Sequence, residues 1–472
     1  MSNKNYNNYK NEDNFIVDDD NFIVDDDNFI VDDDDFIEED DDFIEEDDDE
    51  LYIPKKKRRA SESDIGSIKK KNHYKDLYFM KLSKKDQSNI LKKETEIYNY
   101  FNLNVPLRYN IINSNLPLGT KSLILQKIDQ FDKMSQEENE YQKLYKWINS
   151  LSKIPFNSFS KLTIEMKPTK IQKFLIESYQ NLNKTIYGQF NAKNKIMQIL
   201  AQWISNPQSM GQIIACQGPA GVGKTSLIKN GVSNVLNKPF CFYALGGAND
   251  ISILEGHSYT YEGATYGRLL EMLMESKVMN PIIFFDELDK ISADEKGNNI
   301  ENLMIHLTDQ SQNMNIQDKY FSGIELDYSK CLMFFSFNHI EKINPILKDR
   351  LTIVKFDGYD IDEKIVILKD YLLNEMITNV GLNNEDIIFN DNIIKYIIEK
   401  YSSNEEGMRD TKRVFEELLL KINLLKLLFR KNKQKNNELK KEMNIDYMID
   451  NLSFPLHLNI KKIDLLLKNY NT

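Results

Sequence analysis

Eight residues near the middle of the chain restrict its fold most strongly, because they form a glycine-rich loop of the kind that joins a strand to a helix. The loop fits the pattern G-x-x-x-x-G-K-[ST] and reads Gly218-Pro219-Ala220-Gly221-Val222-Gly223-Lys224-Thr225. The apolar run Ile213–Cys216 predicts the strand before it, and Ser226–Leu236 predicts the helix after it. Its glycines let backbone N–H groups curl around a phosphate, and the helix N-terminus adds a positive dipole end. The segment therefore predicts a phosphate-binding loop.

Two side chains at the end of this loop are predicted to act on a nucleoside triphosphate, which we take to be ATP. Lys224 would reach the β- and γ-phosphates, and Thr225 would hold Mg²⁺. Ser226 opens the predicted helix and joins the loop among the candidate nucleotide-binding residues. The cofactors expected from this motif are therefore ATP and Mg²⁺.

A pair of acids follows a second apolar run and supplies the carboxylates that hydrolysis needs. The run Pro281–Phe285 predicts a buried strand, and Asp286 and Glu287 come directly after Phe285. Asp286, at the strand tip, is predicted to hold the Mg²⁺ shell. Glu287 is predicted to orient and deprotonate the attacking water. The alternative is that the two acids only cap a helix.

Asn338 ends a third apolar run and is predicted to sense the γ-phosphate. The run Leu332–Phe337 predicts a strand that lies between the two strands named above. An amide side chain can hydrogen-bond both water and phosphate without adding charge. The alternative is that Asn338 belongs to an ordinary turn.

The alternation of strands and helices predicts an α/β fold, with a parallel sheet flanked by helices. The apolar strand candidates are Gln212–Cys216, Phe240–Ala244, Ile282–Phe285, Leu332–Phe337 and Thr352–Phe356. After Gly358 the pattern predicts a helical lid domain with helices at Ile361–Leu373, Ile393–Lys400, Arg409–Phe429 and Ile460–Leu467. Helical spacing from Leu116 predicts a helical N-terminal subdomain before the sheet. The predicted regions are an acidic heptad-repeat tail (1–50), a basic polar linker (51–115), a helical subdomain (116–180), an α/β ATPase domain (181–357) and a lid domain (358–472).

The formal net charge of −12 comes from one acidic segment. Residues 12–50 hold 23 Asp and Glu and neither Lys nor Arg, whereas the rest of the chain has 61 basic and 50 acidic residues. A phenylalanine followed by isoleucine recurs every seven residues, at Phe15, Phe22, Phe29, Phe36 and Phe43. These adjacent apolar residues would spread around a helix instead of forming a coiled-coil seam, and the segment is too charged to collapse. We predict a disordered tail, which is either a solvated spacer or a docking tail with weak apolar anchors.

Two basic clusters follow the tail, at Lys55–Arg59 and Lys69–Lys71. They predict either a nuclear import signal or a linker that is solvated or neutralises the tail. No run approaches the ~18 apolar residues that a membrane helix needs, and the N-terminus lacks a signal peptide's apolar stretch. The three cysteines, Cys216, Cys241 and Cys331, lie in or beside apolar strand runs, so we predict core thiols and no disulfide. Together these features predict an intracellular protein of a reducing compartment, cytoplasmic or nuclear, with no membrane partner.

Several separated segments resemble the ATPase module of Lon proteases, which belongs to the AAA+ class. The similar segments are Leu245–Asp250, Glu255–Gly263, Phe284–Ser292, Pro345–Leu351 and Glu406–Arg409. The resemblance covers roughly residues 116–425. It implies an AAA+ fold with a helical lid and an oligomeric ring, usually a hexamer.

The resemblance also implies roles for single residues. Arg350 would act as an arginine finger on the ATP of the neighbouring subunit. Arg409 would touch the γ-phosphate from the lid and couple lid closure to the nucleotide state. Tyr187 and Gly188 would lie near the adenine. Tyr261 falls where the family has an aromatic pore residue that grips polypeptide, and the alternative is an exposed loop tyrosine.

Two departures from the family pattern bear on function. Glu262 follows Tyr261 where the family favours an aliphatic residue, and a charge there would weaken the grip on polypeptide. The chain ends at Thr472, soon after the lid, so we expect the Ser-Lys peptidase domain and the large amino-terminal domain of Lon to be absent. We therefore expect an ATPase without protease activity. Its expected partners are copies of itself, protein substrates, and a separate peptidase or another protein bound by the acidic tail.

Three functions stay open from the sequence. The first is a Mg²⁺-dependent ATPase that remodels or unfolds proteins, as a chaperone does. The second is an ATP-switched assembly protein that binds partners through its tail. The third is an AAA+ protein that acts on nucleic acid, suggested by the basic body and linker. Glu287, Asn338 and Arg350 favour real hydrolysis, and Tyr261 favours polypeptide over DNA, so we favour the first.

Overall fold

A computed structural model describes residues 79, 82–101, 106–135, 138, 140–162, 164–207, 209–248, 250–261, 263–292, 294–402, 405–428, 443, 445–449, 452–468 and 470. The chain divides into two compact units, Met1–Leu82 and Ser83–Thr472. In the first unit only residues 79 and 82 are described, so the predicted acidic tail and both basic clusters lie outside the described residues. The architecture below is that of the second unit.

A five-stranded parallel sheet forms the centre of this unit. Its strands are β1 (Ile213–Gln217), β2 (Phe240–Ala244), β3 (Ile282–Asp286), β4 (Leu332–Phe337) and β5 (Thr352–Lys355). All pairings are parallel, and the order across the sheet is β2-β3-β4-β1-β5. β4 therefore lies between β1 and β3, and each strand end lies within one residue of its predicted position. The predicted α/β fold is confirmed.

Both faces of the sheet are buried along the three central strands β3, β4 and β1, which are almost continuously apolar. In β3, Ile283 and Phe285 pack into the core on one face, whereas Ile282 and Phe284 pack into the core on the other. The first face is covered by the helices Tyr141–Leu151, Arg268–Ser276 and Glu295–Thr308. The second face is covered by the helices Pro168–Thr185 and Phe190–Ser205 and by the helical residues 224–236.

The helical residues 224–236 consist of three consecutive pieces, Lys224–Ser226, the π-helical Leu227–Val232 and Ser233–Leu236. The shorter helices are Ser252–Glu255, Pro345–Arg350 and the 3₁₀ turns Leu288–Lys290, Lys319–Phe321 and Ile340–Lys342. A small antiparallel pair joins Ile316–Gln317 to Glu325–Leu326.

Three further helices precede those of the sheet faces, at Lys84–Phe101, Leu107–Asn113 and Leu118–Lys133. The first two lie inside the range predicted as a linker, and that prediction did not include them. The side chain of Ile111 is fully buried in the same core as Ile124 and Trp147, which accounts for the helix around it. The polar residues of 84–93 are mostly exposed, so no apolar pattern marked the first of these helices.

A helical lid follows β5 and has a core of its own. Its helices are Ile361–Ile367, which continues through the π-helical Leu368–Leu372 into Leu373–Val380, then Asp391–Tyr401, Arg409–Leu428 and Ile460–Leu466. Ile394, Leu418 and Ile463 are fully buried between them. A parallel pair of two-residue strands, Ile387–Ile388 and Leu456–His457, joins distant parts of the lid.

None of the helices in the described part of the chain is both long and apolar enough to cross a membrane. Cys216, Cys241 and Cys331 are buried and free. The prediction of three core thiols without a disulfide is therefore confirmed.

Candidate nucleotide-binding site

The glycine-rich loop leaves the carboxyl end of β1 and leads into a helix that begins at Lys224. The N–H of Gly218 donates to the carbonyl of Phe337 at 3.2 Å, which ties the start of the loop to the end of β4. Gly221 and Gly223 have φ angles of +78° and +92°, a conformation that strains any residue with a side chain. The loop thus turns sharply at the positive end of a helix, where backbone N–H groups can face a phosphate.

Lys224 joins the loop to the neighbouring strand. Its Nζ donates to Oδ1 of Asn338 at 2.9 Å, to the carbonyl of Pro219 at 3.1 Å and to the carbonyl of Gly218. Burial lowers the pKa of the Lys224 ammonium, while the carboxylates of Asp286 and Asp289 act in the opposite direction. The cation is therefore held by neutral oxygens within reach of two carboxylates.

The two predicted acids stand at the end of β3. Asp286 Oδ1 accepts hydrogen bonds from the hydroxyl of Ser336 and from the N–H of Glu287, the latter at 3.1 Å. Glu287 adopts the left-handed conformation, with φ +60° and ψ +45°, which is uncommon for a residue other than glycine. Its Oε1 pairs with Lys290 Nζ at 2.6 Å. A side chain on Gly246 would overlap the Glu287 carboxylate, so the end of β2 also fixes this group.

Asn338 follows β4, and a buried carboxylate fixes the backbone around it. Oδ2 of Asp289 accepts the N–H of Asn338 at 3.1 Å and the N–H of His339 at 3.0 Å. Asp289 itself lies in the 3₁₀ turn after Glu287. The ends of β3 and β4 are thus held together on the side that faces Lys224.

The lid contacts the loop directly. The N–H of Met408 donates to the carbonyl of Gly221 at 3.1 Å. A Cβ on Gly407 would overlap the carbonyl of Ala220, so the two backbones touch. Arg409, the first residue of the helix Arg409–Leu428, is thereby brought beside the loop.

Three tyrosines form the far end of the site. The ring of Tyr187 lies 6.5 Å from that of Tyr359 and 6.4 Å from that of Tyr371, between centroids. The hydroxyl of Tyr359 donates to the carbonyl of Val222 at 3.0 Å, and that of Tyr371 donates to the carbonyl of Asn183 at 2.9 Å. Burial raises the pKa of Tyr359 to about 12, so its hydroxyl stays protonated and keeps this hydrogen bond. The cluster offers ring faces and edges to a flat base.

One cavity of about 420 Å³ brings these groups together. This volume lies within the ~300–1,000 Å³ typical of ligand sites. The lining residues are Thr185–Tyr187, Ala220–Ser226, Asp286, Glu287, Asp289, Lys290, Ser336–Asn338, Tyr359, Ile367, Tyr371, Leu372, Met408, Arg409 and Lys412. Cations and carboxylates lie at one end and aromatic rings at the other, an arrangement suited to a nucleotide with its metal.

Comparisons with known proteins agree with this geometry. Residues 214–356 match the model of the AAA family, the ATPase family associated with various cellular activities. Over 322 residues the chain is 38% identical to a Lon protease homolog of Acanthamoeba polyphaga mimivirus, which covers 67% of this chain and 31% of that protein. Over 316 residues it is 31% identical to Lon protease 2 of Bdellovibrio bacteriovorus, covering 67% of this chain and 38% of that protein. The chain carries a Lon-type AAA+ module. The predicted family resemblance is therefore confirmed.

The matched part of this chain spans about a third of the length of these relatives, 31% and 38%. Among solved structures, the S. cerevisiae Hsp104:casein complex in its extended conformation is similar with a TM-score of 0.45 and 18% identity, covering 56% of this chain and 49% of that one.

Most of the predicted site residues line the cavity of the AAA+ module, and five do not. Gly218 and Pro219 lie behind it and contact it through Lys224. Gly188 lies in the turn before the helix Phe190–Ser205, with φ +59°. Arg350 and Tyr261 lie elsewhere on the module, and Glu262 is outside the described residues.

Arg350 is held at a different edge of the AAA+ module. Its guanidinium pairs with Asp309 at 3.0 Å and donates to the carbonyl of Ile305 at 2.6 Å. Tyr261 is 69% exposed, in a turn where its N–H donates to the carbonyl of Ser258 at 3.1 Å. Neither residue acts on the nucleotide cavity of its own chain in this arrangement.

Sequence reasoning missed Asp289, Ser336, Tyr359 and Tyr371. Asp289 and Ser336 act through hydrogen bonds between the ends of β3 and β4, which only the fold brings together. Tyr359 lies in the segment after β5, and Tyr371 lies in a helix of the lid. No local sequence pattern marks either tyrosine. The sequence did hold a signal for Asp289, because it is a third acid that closely follows Asp286 and Glu287 at the end of the predicted strand.

Proposed function

We propose that this module binds ATP with Mg²⁺ and hydrolyses it in order to remodel or unfold protein substrates. The observation that carries the proposal is the convergence of Lys224, Asp286 and Asn338, from three neighbouring strands, on one cavity that the lid residue Arg409 also lines. Ligands of parallel α/β sheets bind at the carboxyl ends of the strands, which is where this cavity lies.

The donor set fits a Mg²⁺ ion that is bound mainly through a triphosphate. Thr225 and Asp286 line the same cavity and would hold the ion. The described residues contain no group of three or more His, Cys, Asp and Glu suited to a metal, so a site made of protein ligands alone does not compete. Mg²⁺ commonly takes one or two carboxylates together with phosphates and water, and when bound it neutralises phosphate charge.

The remaining residues supply binding and proton transfer. Lys224 is proposed to contact the phosphates, since it lies at the helix N-terminus. Its ammonium donates to the neutral oxygens of Pro219 and Asn338, which phosphate oxygens could replace as acceptors. Glu287 is proposed as the general base, because its carboxylate lines the cavity beside Asp286 and forms an ion pair with Lys290. Asn338 is proposed to orient the attacking water, and Arg409 to sense the γ-phosphate.

The proposal extends to a homo-oligomeric ring, a hexamer by analogy with the family, that acts on polypeptide. The position of Arg350 away from its own cavity supports a role on the neighbouring subunit. The exposure of Tyr261, in a turn flanked by Gly256 and Gly267, supports contact with a substrate chain. An aromatic side chain grips polypeptide without sequence preference because it offers mainly apolar area.

Phosphate release tests the proposal. The chain is assayed with Mg²⁺ and ATP alone, with unfolded casein and with single-stranded DNA. We expect basal turnover that casein increases and DNA does not. Glu287→Gln should bind ATP with near-normal affinity and lose turnover by at least about 10²-fold.

Each other outcome favours a different function. Stimulation by DNA and not by casein would support a nucleic-acid function. ATP binding without turnover in the unaltered chain would support an ATP-switched assembly protein. The expectation that the chain does not cleave protein stays a prediction, and casein fragments in the same assay would contradict it.

A further inference from the structure

A second cavity, of about 450 Å³, lies at the opposite edge of the sheet. Four of its lining residues come just before strands: Ser209 before β1, Lys238 before β2, Asn280 before β3 and Lys330 before β4. Because the strands are parallel, their amino ends lie together on one side of the sheet. The nucleotide cavity lies on the other side, at the carboxyl ends of the strands. The remaining lining residues are Asn115, Phe159–Leu162, Ile164, Met166, Trp203, Ile204 and Pro207.

The walls of this cavity combine apolar surface with lysines. The Nζ of Lys238 lies 4.4 Å from the ring centroid of Trp203, and that of Lys330 lies 4.7 Å from the ring centroid of Phe159. Both distances are typical of cation–π contacts. Trp203 is 8% exposed, so most of its side chain is buried in the core, and the residue also lines the cavity. Two cations thus stand over aromatic rings that belong to the same cavity.

These cations lack a carboxylate partner in the part of the chain that the structure describes, where neither Lys238 nor Lys330 forms an ion pair. Burial lowers the pKa of Lys238 to about 8, which reflects the cost of keeping this ammonium away from water. The buried hydroxyl oxygen of Ser209 also has no hydrogen-bond partner among the described residues. Asn280, by contrast, is occupied, since its side chain exchanges two hydrogen bonds with the backbone of Ser160.

We propose that this cavity binds a small carboxylate with an aromatic or branched aliphatic body. The carboxylate pairs with the ammonium groups of Lys238 and Lys330 and accepts a hydrogen bond from the Ser209 hydroxyl. The apolar body packs against Trp203, Phe159 and Ile204. A neutral apolar ligand would leave the ammonium groups unpaired, and a bare anion would leave the apolar wall uncovered, so both features are needed. The proposal does not depend on nucleotide hydrolysis.

Tryptophan fluorescence gives a direct readout, because the chain has two tryptophans and one of them, Trp203, lines the cavity. In a Trp147→Phe background the signal comes from Trp203 alone. We expect 3-phenylpropionate to change this signal in a saturable way. Its neutral amide, 3-phenylpropanamide, should bind at least about tenfold more weakly, and acetate should cause no saturable change.

Lys238→Met removes the charge and keeps the apolar stem. It should weaken 3-phenylpropionate binding by about tenfold and leave the amide unchanged. Lys461→Met, at an exposed lysine of the lid, is the matched control and should bind like the parent. Calorimetric titration of the unaltered chain gives the same acid-to-amide comparison should Trp147→Phe fail to fold.

The pH dependence provides an independent test. Binding of 3-phenylpropionate should weaken as the pH rises through about 8, because Lys238 then loses its charge. Lys161 and Lys330 face the same cavity, and burial raises the pKa of the neighbouring Cys331 thiol, which stays neutral over this range. Lys238→Met should lack the decline. Equal affinity for acid and amide, or binding that Lys238→Met does not change, would overturn the proposal.

Discussion

Asp289 is a buried carboxylate that fixes the backbone beside the proposed water-orienting residue. One of its oxygens accepts the N–H groups of both Asn338 and His339, at 3.1 and 3.0 Å. Because these residues come directly after β4, the carboxylate sets the direction in which the Asn338 amide enters the cavity. We therefore propose Asp289 as a positioning residue that acts through Asn338.

Asp289→Asn tests this role. An amide oxygen is a weaker acceptor than a carboxylate, and the amide N–H₂ cannot accept, so the hold on Asn338 loosens. Given the proposed function, we expect kcat to fall by about 10–100-fold, the range for residues that orient a reacting group through hydrogen bonds. The ATP affinity should stay within about threefold of normal, because Lys224 and the loop are unaltered. Steady-state phosphate release and nucleotide titration separate the two quantities.

Asp294→Asn is the matched control. Asp294 also accepts a backbone N–H, that of Gly297 at 2.8 Å, but it caps the helix Glu295–Thr308. Its replacement should leave kcat unchanged. Equal kcat in both variants would show that Asp289 is not needed to position Asn338.

At the scale of elements, the lid and the glycine-rich loop form one backbone contact. The N–H of Met408 bonds the carbonyl of Gly221, and Gly407 leaves no room for a side chain against Ala220. This contact carries Arg409 and Lys412 to the cavity. We therefore expect lid position and phosphate binding to be coupled through Gly221 and Gly407.

Gly407→Ala should separate the two backbones. The new methyl group would overlap the Ala220 carbonyl, and relief of such overlap costs about 1–3 kcal/mol. The start of the lid helix then moves away with Arg409, so we expect ATP to bind about tenfold more weakly. Titration with a fluorescent ATP analogue measures this change.

Gly119→Ala is the control for the added methyl group. Gly119 lies in the helix Leu118–Lys133, and a Cβ there would meet no atom within 4 Å. This replacement should stabilise the chain by about 0.5–1 kcal/mol and leave ATP affinity unchanged. Unchanged affinity in Gly407→Ala would contradict the coupling.

Asp318 joins two elements at the base of the turn that carries Tyr261. Its Oδ2 accepts the N–H of Gly267 at 2.7 Å, and its Oδ1 accepts the N–H of Tyr320 at 2.9 Å. The side chain is almost fully buried, and burial raises its pKa to about 6 despite these hydrogen bonds. The loop is thus anchored by a carboxylate whose ionisation is costly.

The raised pKa of Asp318 predicts a pH dependence of stability. The folded state holds this proton more tightly than the unfolded state, where the pKa is near 3.8. As the pH falls from about 6 to about 4, the wild type should gain about 2–3 kcal/mol over Asp318→Asn, a gain that is absent above pH 6. Urea unfolding of both chains at several pH values measures the difference.

Asp250→Asn should change the pH dependence of stability in the opposite direction. Hydrogen bonds from Ser252 lower the pKa of Asp250, so the wild type should lose stability relative to this variant as the pH falls. A constant difference between wild type and Asp318→Asn across pH 4–7 would show that Asp318 does not titrate in this range.

At the scale of the whole molecule, the sequence predicted what depends on local patterns. Buried parallel strands are continuous apolar runs, so all five were found, and the glycine-rich loop identified its own strand and helix. The acids of β3 and Asn338 were found because each ends such a run. These features require only neighbours along the chain.

The features that sequence missed depend on contacts between distant segments. The carboxylate of Asp289 matters through residues about fifty positions later, and Tyr359 and Tyr371 meet Tyr187 only after the lid has folded back. The helix Leu107–Asn113 was missed because Ile111 is its only buried residue, and the helix Lys84–Phe101 was missed because its polar residues outnumber its apolar ones. Apart from the third acid after β3, no local pattern marks these contacts.

The position of Arg350 bears on how several copies of the chain assemble. Its guanidinium is held by Asp309 and the carbonyl of Ile305, and it does not line the cavity that its own chain forms in the described residues. An arginine with this placement can act on a nucleotide only across a subunit boundary. Arg350→Ala alone should bind ATP normally and lose turnover by about 10³-fold or more.

Mixing two inactive variants tests the subunit boundary. Lys224→Ala keeps Arg350 but should not bind ATP, whereas Arg350→Ala binds ATP but lacks the finger. In a mixed ring, an ATP on an Arg350→Ala subunit meets an intact Arg350 whenever the neighbour on the finger-donating side is a Lys224→Ala subunit, so we expect turnover to reappear. Phosphate release as a function of the mixing ratio should pass through a maximum near equal amounts.

Mixing Lys224→Ala with Glu287→Gln provides the control. No subunit in that mixture combines a bound nucleotide with an intact base, so turnover should stay absent at every ratio. Mass measurement with ATP confirms that mixed assemblies form in both cases. Mixed assemblies of the first pair that remain inactive would exclude a finger supplied by the neighbouring subunit, and recovery in the control pair would exclude Glu287 as the base.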